Sequence, residues 1–313
     1  MTLRFVFLGC LLALFFSPAG KAAESPVRVV ASIAPIHSLA SAVMEGVASP
    51  SLLVKAGASP HSVMMKPSQM RQLQSADLVL WVGENLEGYL PRVLSSLPES
   101  TAVMSMMDLP GLNRLPARQG GNWQGHDHDH DHDHHEVGYG HHGAYDAHIW
   151  LDPNNAMRIV SALVARLSQI DAQNATRYQA NGERVLARLA QLDDALLAML
   201  KSLKAKPYVV FHDAYHYLED RYGLNPVAAV SIDPERKPSA KRLREIRRLL
   251  KDEAVVCVFS EPQYSHAVVA AVTDGMEVKI GELDPMGQGL AVDAQMYFSL
   301  MEQLAKQLQS CLK

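Results

Sequence analysis

Apolar residues follow two rhythms along this chain, and the change from one to the other outlines its architecture. The opening run, Phe5 to Phe16, follows a short basic start at Arg4 and passes into the small-residue stretch Ser17 to Ala23. A bilayer span takes about 20 apolar residues, so this shorter run reads as a secretory signal peptide covering residues 1–22, with Gly20 and Ala22 before the cleavage point. After it come short, nearly continuous apolar runs: VRVVASI (Val27 to Ile33), a brief one at Leu52 to Val54, DLVLWV (Asp77 to Val82) and TAVMSM, ending at Met106. These have the length and β-branched content of buried strands. Between them, Pro35 to Glu45, the segment opened by Pro67, and Leu86 to Ser95 carry the spacing of helices.

The rhythm becomes purely helical after Asp152, a natural helix cap in front of Pro153. Asn155 to Ile170 forms one amphipathic helix. A longer one runs from about Ala172 to Leu203, with Leu186, Leu189, Leu192, Leu196, Leu197 and Leu200 at i, i+3, i+4 spacing. Gly182 is its only strong breaker, at a cost of about 1 kcal/mol. Alternation then resumes. Strands are expected at Pro207 to Phe211, PVAAVS, AVVCVF and MEVKIGEL, with helices between them and a closing helix from Asp293 to Leu312. Strand–helix alternation implies parallel sheets with crossover helices. The expected fold is therefore α/β: two lobes with mostly parallel sheets joined by one long helix. The lobes divide as residues 23–150, a helical segment 151–205 with the linking helix, and residues 206–313. Ligands of such sheets bind beyond the carboxyl ends of the strands, and two lobes place that site in the cleft between them.

Charge and cysteine use narrow the class. Loss of the signal peptide removes Arg4 and Lys21 and no acid, taking the formal charge from −4 to −6. No basic stripe with interleaved aromatics is present, so nucleic acid is not an expected partner. KRLREIRR (Lys241 to Arg248) keeps its apolar residues on the opposite helix face and reads as a solvated surface. Two cysteines remain, Cys257 and Cys311. An even pair in an exported chain points to a disulfide tying AVVCVF to the end of the last helix, worth at most about 4 kcal/mol in the chain-entropy model. No second long apolar segment follows, so an exported, soluble protein is expected; a monomer is the expected state.

Chemistry enters with the histidines. Eight of the fourteen lie between Gly125 and Gly143: His126, His128, His130, His132, His134, His135, His141 and His142. They alternate with Asp127, Asp129, Asp131 and Asp133, inside a loop expected over about residues 117–146. Imidazole and carboxylate both accept transition metals, and so polar a run cannot build a core. An affinity tag would not be expected mid-chain or interleaved with Asp. Four other positions stand at strand exits or before helices: His61 in GASPHSVMMKPS, His148 in DAHIWLDP, His212 in VVFHDAYHY and Asp284 in GELDPMGQG. Any one alone would pass for a turn or core residue. Four together, two per lobe, point to a metal cleft. His37, His216 and His266 read as packing, supporting or capping groups, and Glu261 in SEPQ as a carboxylate that orients a ligand histidine.

GASPHSVMMKPSQ, ADLVLWVGENLE, the His/Asp loop, DAHIWLDPNNA, YVVFHDAYHYLEDRYGL, FSEPQ and LDPMGQG follow one another over nearly all of the mature chain. In this order they resemble the ZnuA-type branch of the cluster A-I (cluster 9) solute-binding proteins of bacterial ABC importers. The resemblance implies zinc bound between two lobes by His61, His148 and His212, with a carboxylate or water completing the shell. Asp284 matches the carboxylate ligand of manganese-binding relatives, which usually carry Glu where this chain has His212. Many zinc-binding relatives have Glu directly before the first ligand histidine; here that residue is Pro60. The implied setting is the periplasm. The implied partners are an inner-membrane ABC permease with its ATPase, with room for an auxiliary metallochaperone. The implied role is delivery without catalysis. The rivals are an exported zinc hydrolase, for which no HExxH motif is present, a manganese-binding member of the same family, and a metal buffer that works through its loop.

Overall fold

The computed structural model describes residues 26–123 and 144–313 apart from Ala56 and Ile232. The expected signal peptide and the eight loop histidines lie outside the described residues. Eight strands form two four-stranded, wholly parallel sheets. The first contains β1 (Val29–Ala31), β2 (Ser51–Leu52), β3 (Leu78–Trp81) and β4 (Ala102–Ser105) in the order β2-β1-β3-β4. The second contains β5 (Pro207–Val210), β6 (Asn225–Ala229), β7 (Cys257–Ser260) and β8 (Lys279–Glu282) in the order β6-β5-β7-β8. Each sheet begins on an inner strand, steps to one side and then returns to the other. The strand order therefore reverses between β1 and β3 and again between β5 and β7. A crevice at the carboxyl end of such a reversal is where open α/β sheets hold ligands.

The helices are α1 (Ala34–Val43), α2 (Pro67–Gln74), α3 (Pro91–Leu94), α4 (Pro153–Ile170), α5 (Ala175–Leu200), α6 (His216–Tyr222), α7 (Ala240–Asp252), α8 (His266–Thr273) and α9 (Met296–Leu312). The strands are shorter than their apolar runs, because residues such as Ile33, Val54 and Val82 pack in the core after the ladder has ended. The helix expected from Leu86 to Ser95 contracts to α3. The backbone before it turns to present Val82 N–H and Gly83 N–H to the buried Glu87 carboxylate. Asp152 caps α4 by accepting from Asn154 N–H at 2.8 Å, as its position before Pro153 suggests.

Packing forms three layers of core. One continuous cluster takes the inner faces of both sheets together with α1, α4, α5 and α9. A second lies under α7 and α8 on the outer face of the second sheet, and a third under α2 on the outer face of the first. The long helix α5, flanked by short 3-10 turns at Ala172–Asn174 and Lys201–Leu203, has 26 residues and so spans about 39 Å. It packs along α4, α1, α9 and α6. Gly182 lies where α5 crosses α4: a Cβ there would overlap Val164.

Two further segments cross between the halves. The start of α9 returns to α1, where Tyr297 N–H donates to Ser38 Oγ at 2.9 Å, while its end is joined to β7 by the Cys257–Cys311 disulfide. The stretch after β4 lies on the second half. There Leu115 N–H donates to Tyr217 Oη at 3.1 Å, Arg118 pairs with Glu219 and stacks on Trp123, and Arg242 donates to Asn122 C=O at 2.6 Å. No described helix is long and apolar enough to cross a membrane.

Candidate metal centre

Three segments bring an imidazole each to the carboxyl ends of the sheets. His61 sits in the irregular turn that follows β2, its backbone N–H held by Ser59 Oγ at 3.3 Å. His148 stands at the start of the 3-10 turn Ile149–Leu151 that leads into α4. His212 follows β5 directly, beside the strand reversal of the second sheet. Their ring centroids lie 5.5, 5.8 and 5.3 Å apart, and one ligand atom from each falls within 4.8 Å of the others. His148 and His212 are buried and His61 is half-buried.

The two buried rings are oriented by carboxylates. Asp146 Oδ1 accepts from both the backbone N–H and Nδ1 of His148, each at 2.8 Å. Glu261 Oε1 lies 2.7 Å from His212 Nδ1. A carboxylate accepts only, so each Nδ1 carries its proton and each Nε2 is the free ligand atom. These two Nε2 atoms face each other at 3.4 Å. Two nitrogens bound to one zinc at 2.0–2.1 Å in a tetrahedron are separated by about 3.3–3.4 Å. Burial pulls the His212 pKa down, but the Glu261 charge and hydrogen bond, with Asp213 and Asp146 behind, outweigh it, and the net direction is up. Without a metal, a proton on His212 Nε2 relieves the contact of two lone pairs, and a divalent cation takes over that role when it binds.

The space among the rings is small, about 10 Å³, enough for one ion or water. Gln263, Tyr264, Pro285 and Met286 also line it, as does Pro60. Asp284 does not join the three histidines. Its Oδ1 accepts from Met286 N–H at 2.9 Å and from Gln263 Nε2 at 2.6 Å, and Oδ2 accepts from Gln288 N–H, so the turn after β8 has taken up both oxygens. Glu261 occupies the orienting position expected for it. His216 approaches Asp146 Oδ2 at 3.7 Å, on the far side of the carboxylate that holds His148. His37 is a packing group, with Nε2 bonded to Pro50 C=O at 2.9 Å, and His266 is an exposed residue opening α8. Sequence reasoning missed Asp146 and Gln263. The first had a signal in its spacing, two residues before His148; the second had none beyond its place beside Glu261.

Two α/β lobes around a water-sized, three-histidine chamber define a cleft-type metal-binding protein. The ligands come from both halves of the chain, so the site lies in the cleft between them. The sequence profile of the ZnuA family, zinc-uptake complex component A, periplasmic, matches residues 29–311, and the chain belongs to that family. Among its relatives, the high-affinity zinc uptake system protein ZnuA of Yersinia pestis is 39% identical over 293 residues, covering 91% of each chain. The protein of that name from Brucella abortus is 36% identical over 304 residues, again covering 91% of each. Similar folds include a crystal structure of ZnuA (TM-score 0.76, 22% identity, covering 92% of this chain and 100% of that one). Another is the periplasmic zinc binding protein TroA from Treponema pallidum (TM-score 0.78, 21% identity, covering 92% and 99%).

Proposed function

We propose that this protein captures one Zn²⁺ in the periplasm through His61, His148 and His212 and delivers it to an ABC permease driven by its ATPase. The observation that carries this reading is the 3.4 Å separation of His148 Nε2 and His212 Nε2, with each ring turned by its own carboxylate. Three imidazoles suit zinc, whereas a carboxylate-rich set suits manganese. Kinship with zinc uptake proteins supports delivery as the role and the periplasm as the place. The lobe boundaries given above, a monomeric state and room for an auxiliary metallochaperone belong to the same reading.

Catalysis is disfavoured by the carboxylates. A hydrolytic zinc site needs a general base beside the bound water. Glu261 Oε1 is bonded to His212 Nδ1, which commits that carboxylate to orienting the ring although Oε2 has no partner in the protein, and Asp284 is bonded to Met286, Gln288 and Gln263. The His126–His142 stretch, with its eight histidines and four interleaved aspartates, serves in this reading as an auxiliary, weaker, multi-ion site that raises local zinc.

Competition titration against a zinc chelator tests the centre. One tight zinc per chain is expected, lost in His61→Ala, His148→Ala and His212→Ala and kept when residues 124–143 are deleted. Turnover on a panel of peptides and esters should be absent. If the histidine variants bind zinc as the parent does, or if the deletion abolishes the tight site, the assignment fails.

A further inference from the structure

Three histidines fill three corners of a zinc tetrahedron, and the fourth determines which metals the chamber tolerates. The remaining wall offers few candidates. The Pro60 side chain has no polar atom. Ser59 Oγ is engaged by His61 N–H and by the Tyr264 hydroxyl at 3.2 Å. Glu261 commits Oε1 to His212, and its Oε2 is buried without a hydrogen-bond partner in the protein, on a carboxylate whose position is set by the ring it orients. Asp284 is taken up by the turn around it.

Gln263 carries the other buried oxygen of the wall that has no partner, and it is the neutral one. Its Nε2 donates to Asp284 Oδ1 at 2.6 Å, and because a carboxylate can only accept, that bond fixes which end of the amide is nitrogen. The opposite atom, Oε1, is buried and has no hydrogen-bond partner in the protein, although Gln263 forms part of the chamber wall. A buried carbonyl without a donor is costly to keep, so this one calls for a partner that the protein does not supply. Here it belongs to a side chain held by a carboxylate that two backbone N–H groups hold in turn.

Resting on the zinc reading above, we propose that Gln263 is the positioning residue for the fourth corner. Its Oε1 accepts a hydrogen bond from the water that completes the zinc shell. Its Nε2 meanwhile keeps Asp284 back from the metal. The shell is then three nitrogens and one neutral oxygen. Asp284, though not a ligand, acts through Gln263 by fixing where that water sits.

Cobalt(II) substitution makes the fourth corner visible, because its visible bands follow ligand type and geometry. The variants are Gln263→Met, which keeps the volume and removes both polar atoms, and Gln263→Asn, which withdraws the amide by one methylene. In Gln263→Met, zinc affinity should fall about 10- to 100-fold, the usual effect of losing a group that supports a metal shell. The cobalt bands should shift, and manganese should gain on zinc as Asp284 is released. The parent cobalt form should show an alkaline spectral transition from deprotonation of the bound water, moved in the variant. Should Gln263→Met fail to fold, Gln263→Asn should show the same changes in smaller degree. Unchanged zinc affinity and cobalt bands in the folded variant would overturn the inference, as would a parent spectrum with no alkaline transition, which would make the amide itself the ligand. If the parent took up neither metal, or His212→Ala bound both normally, the zinc reading itself would fall with it.

Discussion

Glu261 and His212 come from neighbouring strands, β7 and β5, and meet at 2.7 Å across the strand reversal of the second sheet. The carboxylate sets the ring's orientation, its tautomer and its readiness to hold a proton. Replacing Glu261 with Ala should weaken zinc binding about 10- to 100-fold. Glu261→Gln should cost less, since its amide oxygen still accepts from Nδ1. Chelator competition at pH 7.5 measures both. Equal affinity in the parent and in Glu261→Ala would mean the pair contributes nothing to binding.

Zinc should displace a proton from His212. The raised folded pKa stabilises the metal-free fold fully below the unfolded value near 6.5, and that contribution fades as pH rises through the folded pKa. The same proton opposes zinc, so affinity should fall as pH drops through the folded pKa, by about tenfold per unit below it. At pH 6.5 at least about half a proton per zinc should come from this group, less in Glu261→Gln, where burial is no longer offset. Calorimetry in buffers of different ionisation enthalpy counts the protons. A release independent of Glu261 would contradict the pairing.

Gly182 lets α5 approach α4. Gly182→Ala gains about 1 kcal/mol of helix propensity. The new Cβ meets Val164, however, and overpacking of this kind costs about 1–3 kcal/mol. The single variant should therefore melt lower than the parent, and Val164→Ala added to it should recover stability. Denaturant titration of all four proteins of the cycle decides this, and additive effects would show that the two positions do not touch.

Glu87 governs a separate pH response in the first half. Burial pushes its pKa up to about 7, against the opposing hydrogen bonds from Gly83 N–H, Ser32 Oγ and Val82 N–H. A carboxyl raised this way favours the fold fully below about 4.5, and that stability is lost as pH rises through about 7. Glu87→Gln can still accept from the two backbone groups and carries no charge. Compared with the variant, the parent should lose up to about 3 kcal/mol between pH 4.5 and pH 8. Parallel stability profiles over that range would exclude the effect.

Much of this was legible in the sequence, and the misses have physical causes. Strand–helix alternation gave both sheets, because buried parallel strands are written as short apolar runs, and α5 was marked by its leucine spacing. The three histidines were legible as polar residues placed where strands end. Asp284 was read in the same way, yet backbone N–H groups two and four residues on capture its oxygens. Asp284-Pro285 followed by Gly287 is the pattern of such a turn, so the capture had a signal that the strand-exit reading passed over. Gln263 escaped notice because its role depends on which end of an amide faces a carboxylate 21 residues away. Leu86 to Ser95 looked helical, but the need to satisfy Glu87 turns the backbone away before α3 begins.

The three crossings between the halves also constrain how the cleft can open. A single strut lets two bodies swing about it. Here α5 is one tie, the start of α9 against Ser38 a second, and the Leu115–Asn122 stretch on Tyr217, Glu219 and Arg242 a third. Three ties restrain more than one does, so wholesale rotation must break the contacts that make them. The turn carrying His61, the half-buried ligand, belongs to no helix or strand, and it reaches the second half through Ser62 Oγ on Glu235 and the Tyr264 hydroxyl on Ser59 Oγ. The mechanical design is that of a fixed frame with a latch: on the His61 side the chamber is closed by two polar side-chain bonds, Ser62 on Glu235 and Tyr264 on Ser59, none of whose residues lies in a helix.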